Sequence, residues 1–73
     1  MHPLRAYRES HGFTQQELAE QLGVFRETIA RWETGAHKIG LDVLPKISKA
    51  TGIAPRRLRP DLARMLDGNG NAG

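Results

Sequence analysis

The most constraining feature of this 73-residue chain is how little separates two of its amphipathic segments. Leu18, Ala19 and Leu22 form an apolar stripe at helical spacing, and Phe25, Ile29 and Trp32 form a second at i, i+4, i+7. Between them stand only Gly23 and Val24. Two helices of two or three turns joined so tightly cannot fold back into an antiparallel hairpin. They must cross steeply, with a small residue where the backbones approach, and Ala19 is placed to be that residue. Gly23 supplies the left-handed residue that stops the first helix.

The flanking sequence breaks into equally short pieces. Leu4 and Tyr7 begin a helical pattern that runs to about His11, with Pro3 near its start and Gly12 at its end. Thr14-Gln15-Gln16-Glu17 has the spacing of a capping box, which starts the second helix. The third closes at Gly35. Leu41, Leu44, Ile47 and Ala50 outline a fourth helix ending at Thr51-Gly52, with Pro45 in its first turn. Ile53, Leu58, Leu62 and Leu66 suggest one or two further turns started by Pro55 and Pro60. No segment alternates as a strand would, so the chain reads as all-α. Residues 1–66 form one domain, and 67–73 a polar tail.

Size and composition exclude much. A chain this short buries only about 60% of its unfolded surface, which leaves little room for a deep substrate cavity. There is no cysteine, hence no disulfide, thiolate metal site or thiol nucleophile, and a reducing compartment is the simplest setting. No apolar run approaches a membrane span, so a soluble, cytoplasmic chain without membrane partners is expected. His2, His11 and His37 are scattered, with no metal-binding spacing, and His11 reads as a partly buried helix-end residue. Ser10 and Ser48 lack an activating partner. No enzyme, metal or cofactor is expected. The net charge of +3 lies wholly beyond Gly40; it suits an anionic partner but is too modest to identify one.

Turned through 100° per residue, the third helix places Glu27, Ala30, Arg31 and Thr34 opposite its apolar face, with Thr28 and Glu33 on the flanks. Leu4-Arg5-Ala6-Tyr7-Arg8-Glu9, Phe13 to Ala19, Leu22-Gly23-Val24 and Thr28 to Gly35 together resemble the Xre-type family of phage-repressor and Cro-like helix-turn-helix DNA-binding domains. The resemblance covers Leu4 to Ile53, about two thirds of the chain. It implies a compact five-helix domain whose third helix enters the DNA major groove, usually as a homodimer on a palindromic operator, in a transcriptional regulator such as a repressor.

On that basis Arg26, Glu27, Ala30 and Arg31 are the candidates for base contact. Arg grips guanine O6 and N7, and a carboxylate accepts from cytosine N4. The alternative is a plain exposed Glu27–Arg31 ion pair. Gln15 matches the family glutamine that binds backbone phosphate. Thr14, Thr28 and Lys38 are further phosphate candidates, although Thr14 is also the cap and Lys38 is equally an ordinary solvated lysine. The resemblance also pairs Arg8 with Glu33, a structural contact that would fix the third helix.

Phe25 departs from the family pattern. A hydroxyl residue usually stands there as a cap; Phe25 is expected to pack on the core instead, the other choice being contact with a thymine methyl. Ile39-Gly40 likewise replaces the usual entry to helix four. Arg56, Arg57 and Arg59 could supply phosphate contacts or a dimer edge, and are read by default as a solvated face. Leu58, Leu62, Met65 and Leu66 could pack on the domain or on a second subunit. They also allow a second reading, an antitoxin-type protein that binds its operator and grips a toxin or other regulatory partner through this segment.

Overall fold

The structure, a computed structural model, describes residues 1–62 and Arg64. Five helices follow one another: α1 (Pro3–Ser10), α2 (Gln15–Leu22), α3 (Arg26–Thr34), α4 (Leu44–Thr51) and α5 (Pro55–Leu58). Residues 60–62 and Arg64 are helical again, and no strand occurs among the described residues. Met65, Leu66 and the tail lie outside them, as does the boundary expected at residue 66.

Each helix begins and ends for a local reason. At α1, Pro3 occupies the first turn, where its missing N–H costs nothing, and His2 is the cap: its Nδ1 accepts the Leu4 N–H at 3.1 Å. At α2 the capping box is complete. The Thr14 hydroxyl accepts the Glu17 N–H at 3.1 Å, and the Glu17 carboxylate accepts the Thr14 N–H at 2.8 Å. Gly23 ends α2 at φ +70°, a conformation open to glycine and strained for other residues, so the steep turn into α3 depends on it.

α2 and α3 pack directly on each other where they cross, and Ala19 of α2 is fully buried. Around that crossing lies a single core built from all five helices. Leu4 of α1, Leu18 and Leu22 of α2, Ile29 and Trp32 of α3, Leu44 and Ile47 of α4 and Leu58 of α5 are all buried. Each large side chain so placed is worth about 1.5–3 kcal/mol over leaving it in water.

The entry to α4 differs from expectation. Leu41 is not a helix residue: residues 41–43 form a turn in which the Gly40 carbonyl accepts from both Val43 and Leu44 N–H, and Leu41 is exposed. Ile39 takes a core position instead and is 1% exposed. Ala50 also faces solvent. After α4, Ser48 and Thr51 close the chain into α5; the Ser48 hydroxyl donates to the Ile53 carbonyl at 2.6 Å, and Thr51 Oγ1 accepts the Ile53 N–H at 3.2 Å. Pro55 starts α5 as expected.

Candidate nucleic-acid interface

α3 divides into a covered side and an open one. Ile29 and Trp32 are buried, whereas Arg26, Glu27, Arg31 and Thr34 are exposed, and Thr28 and Ala30 are half-buried at the margin. The described chain leaves the face holding Arg26, Glu27 and Arg31 open to solvent. The Glu27–Arg31 ion pair does not form. Glu27 instead lies 3.5 Å from Arg26, both more than half exposed, and such a contact contributes little. Arg31 forms no ion pair among the described residues.

The other side of α3 is tied down at one point. Arg8 of α1 meets Glu33 as a two-pronged fork, Nε donating to Oε2 at 2.7 Å and Nη2 to Oε1 at 3.1 Å. Its remaining nitrogen, Nη1, donates to the Phe13 carbonyl at 3.0 Å. Gln15, the first residue of α2, donates its amide to the same Glu33 Oε1 at 3.2 Å. Thus the Glu33 carboxylate joins α1, α2 and α3, and Arg8 ties the α1–α2 loop to them. The Glu33 side chain is 4% exposed. Burial alone would raise its pKa, but the hydrogen bonds from Arg8 and Gln15 and the charge of Arg8 outweigh that and hold the carboxyl below its usual range. The Arg8 guanidinium is correspondingly raised by its bonds to Glu33.

The phosphate candidates are already partly engaged. Thr14 uses its hydroxyl oxygen as the cap and keeps the hydroxyl hydrogen. Gln15 commits one amide hydrogen to Glu33 and keeps the other. Thr28 is half-buried on α3. Lys38 is paired with Asp61 at 3.4 Å rather than simply solvated, although its side chain is 68% exposed.

Phe25 does not pack on the core. It is 79% exposed and stands as the residue before α3, at φ −80°, ψ 152°, with no side-chain cap bond. Its i, i+4 relation to Ile29 would aim it inward only inside a continuous helix; one residue outside, the extended backbone turns it away. Val24 packs against the core in its stead. The site therefore gives up a cap, worth about 1 kcal/mol, and the burial of a phenyl ring, worth about 1.5–3 kcal/mol.

Two further expectations change, and one open choice narrows. Arg59 is not part of a solvated face: Nε and Nη2 grip Asp61 at 3.0 and 2.7 Å, and Nη1 donates to the buried Ile39's carbonyl at 2.7 Å. Asp61's carboxyl is held well below the usual range, chiefly by the bond from Arg59. Arg56 and Arg57 remain exposed. The signal overlooked was Arg-Pro-Asp, in which the proline fixes the backbone between a cation and an anion two residues apart. His11, expected to be partly buried, is exposed, and its ring lies beside Tyr7 at 4.2 Å and Phe13 at 5.7 Å. Of the two placements open to them, Leu58 is buried in the domain's own core and Leu62, partly buried, packs against it. Among the described residues no cluster of His, Asp or Glu is arranged to hold a metal, and no helix is long and apolar enough to cross a membrane.

Two short helices crossing over an alanine at a glycine turn, with the second held from behind and open in front, define a helix-turn-helix unit. The chain belongs to the Cro/C1-type, Xre-like helix-turn-helix family, whose profile matches residues 4–58. It is 42% identical over 50 residues to an uncharacterized HTH-type transcriptional regulator of Methanocaldococcus jannaschii, covering 68% of this chain and 76% of that one. A second relative, an uncharacterized HTH-type transcriptional regulator of Methanothermobacter thermautotrophicus, is 41% identical over 49 residues, covering 67% and 71%. In a longer relative from Pyrococcus furiosus the match is 39% identical and takes up 63% of this chain but 15% of that protein. No solved structure matches.

Proposed function

We propose that the protein is a sequence-specific double-stranded DNA-binding transcriptional regulator, acting as a repressor, that inserts α3 into the major groove and binds as a homodimer to a palindromic operator. The observation that carries this reading is the division of α3: the side bearing Arg26, Glu27 and Arg31 is open, while the opposite side is buried and locked through Glu33. A helix that must present side chains to base edges needs both properties. The names of the relatives as transcriptional regulators agree with it.

In this reading Arg26 and Arg31 address guanine, Glu27 addresses cytosine, and Ala30, small and half-buried, lets the backbone approach a base edge. Gln15, Thr14 and Thr28 hold phosphates with the hydrogens the fold leaves them, and Lys38 adds charge at the rim. Because Gln15 touches both Glu33 and, by proposal, a phosphate, it sets α3 at a fixed height above the backbone.

Selection of binding sites from random duplexes, followed by gel shift on the recovered sequence, tests this reading. A palindrome is expected, with affinity falling steeply as salt rises. Arg31→Ala should relax preference at one base position, by about 1–3 kcal/mol, whereas Gln15→Ala should weaken all duplexes about equally. Affinity for duplex that is absent or insensitive to salt would overturn the reading, and equal losses from the two variants would overturn the division of roles.

A further inference from the structure

Among the described residues, Phe25 is the one large apolar side chain that the fold leaves open directly beside the candidate base-reading residues. It is 79% exposed, and its chain neighbours Arg26 and Glu27 are 53% and 60% exposed. The position gives up two sources of stability, a hydroxyl cap and a buried ring. An occupant that covers Phe25 must also meet Arg26 and Glu27. A dry protein surface would desolvate the Glu27 carboxylate, and carboxylates are depleted at the centres of protein interfaces. The DNA major groove meets all three: it offers guanine acceptors to the arginine, a cytosine donor to the carboxylate, and its apolar group, the C5 methyl of thymine, to the ring.

We infer that Phe25 is a specificity-determining residue that reads thymine by packing its ring against the C5 methyl, next to the base addressed by Arg26 or Glu27. This rests on the proposed placement of α3 in the major groove. The leading end of α3 therefore reads an adjacent apolar and polar feature together, and the missing cap is the consequence of placing a phenyl ring where a hydroxyl would otherwise serve the backbone.

The test uses the full chain and the duplex recovered by selection from random sequence, alongside copies in which each thymine in turn is replaced by deoxyuridine, which lacks only the methyl group. For the native protein, replacement at one position of each half-site should weaken binding about fourfold, the value of one methyl group moved out of water. Phe25→Leu should keep that preference, while Phe25→Ala and Phe25→Ser should bind the thymine and deoxyuridine duplexes alike. Circular dichroism and thermal melting establish that the variants fold, and Phe25→Ser, which restores a cap, should melt no lower than the native protein.

If Phe25→Ala weakens both duplexes equally, or no thymine position responds, the thymine assignment is overturned while DNA binding stands. If Phe25→Ala changes the sedimentation coefficient from dimer to monomer and leaves the thymine preference intact, the ring belongs to a protein interface and the inference fails. If the native protein shows no salt-sensitive affinity for any duplex, the placement of α3 fails, and the role of Phe25 with it.

Discussion

The two ends of α3 are built on opposite principles. Its C-terminal end carries Trp32, which is buried, and Glu33, whose carboxylate is bound by residues from α1 and α2, and it closes on Gly35. Its N-terminal end has no side-chain cap and presents Phe25, Arg26 and Glu27 to solvent. A nine-residue helix has too few backbone bonds to be stable alone, so its direction must come from tertiary contacts. Concentrating those contacts at one end leaves the other chemically free without leaving it slack. Stability and recognition are thereby assigned to different residues of the same helix, and substitutions should separate them.

The largest effect should come from releasing the anchored end. Arg8→Ala leaves the Glu33 carboxylate buried with only Gln15 as a partner, and removes the donor to the Phe13 carbonyl. A loss of about 2–4 kcal/mol is expected, the range for breaking a partly buried pair. In a domain of this size that is roughly 10–25 °C in Tm, measurable by thermal denaturation. Base preference measured well below the new Tm should broaden at every position read by α3, because the helix loses its fixed bearing. Unchanged Tm would show that the fork is not what orients α3.

Arg59→Ala serves as the contrast. Arg59 also makes a three-pronged contact, to Asp61 and to the Ile39 carbonyl, but away from α3. Leaving the Ile39 carbonyl without its donor should cost about 1–3 kcal/mol in denaturant titration. Base preference should not move. Were Arg59→Ala to broaden preference as much as Arg8→Ala does, orientation of α3 would be a property of overall stability and not of the anchor.

At the free end the sign reverses. Phe25→Ser replaces an exposed ring by a cap that can accept a backbone N–H, so it should stabilise the domain by about 1 kcal/mol, read as a higher midpoint in the same titration. A destabilised Phe25→Ser would mean that the ring contributes to packing that its exposure conceals.

Which parts were legible from the residues follows the same division. The capping box, the glycine stops and the small crossing residue are local devices, and local devices can be read directly from spacing. Arg8 and Glu33 lie 25 residues apart, and the resemblance alone brought them together. Two departures from expectation share one cause, the extension of a helical period beyond the helix. Phe25 lies one residue before α3 and Leu41 three before α4, so neither is bound by the 100° rule that was applied to it, and Ile39 took the core position assigned to Leu41. Arg59 was misread because charge runs are usually solvated. Its partner, two residues on across a proline, is a local pattern, whereas the buried carbonyl 20 residues back becomes visible only once the chain has folded.

The smallest expected effect concerns pH, and two residues on the anchored side separate it into windows. His2 caps α1 through an unprotonated Nδ1, and its pKa is lowered, first by burial, against the opposing charge of Glu33 and with the help of the terminal ammonium. A group whose pKa falls on folding adds stability that is complete above its unfolded value of about 6.5 and is lost as pH falls through the lower folded value. Glu33 follows the same sign from its ordinary value of about 4.5 downward, where protonation deprives Arg8 and Gln15 of their acceptor. Melting temperature followed from pH 8 to pH 3 should thus show a shallow fall below about 6.5, worth under about 1 kcal/mol as a helix cap, and a steeper one below about 4.5. His2→Ser, which caps without titrating, should remove the upper fall alone. Glu33→Gln should reduce the lower one, leaving the part that Asp61 contributes below its ordinary value of about 3.8, while reducing stability at neutral pH. A single fall unaffected by His2→Ser would show that α1, and with it the placement of Arg8, does not depend on the histidine cap.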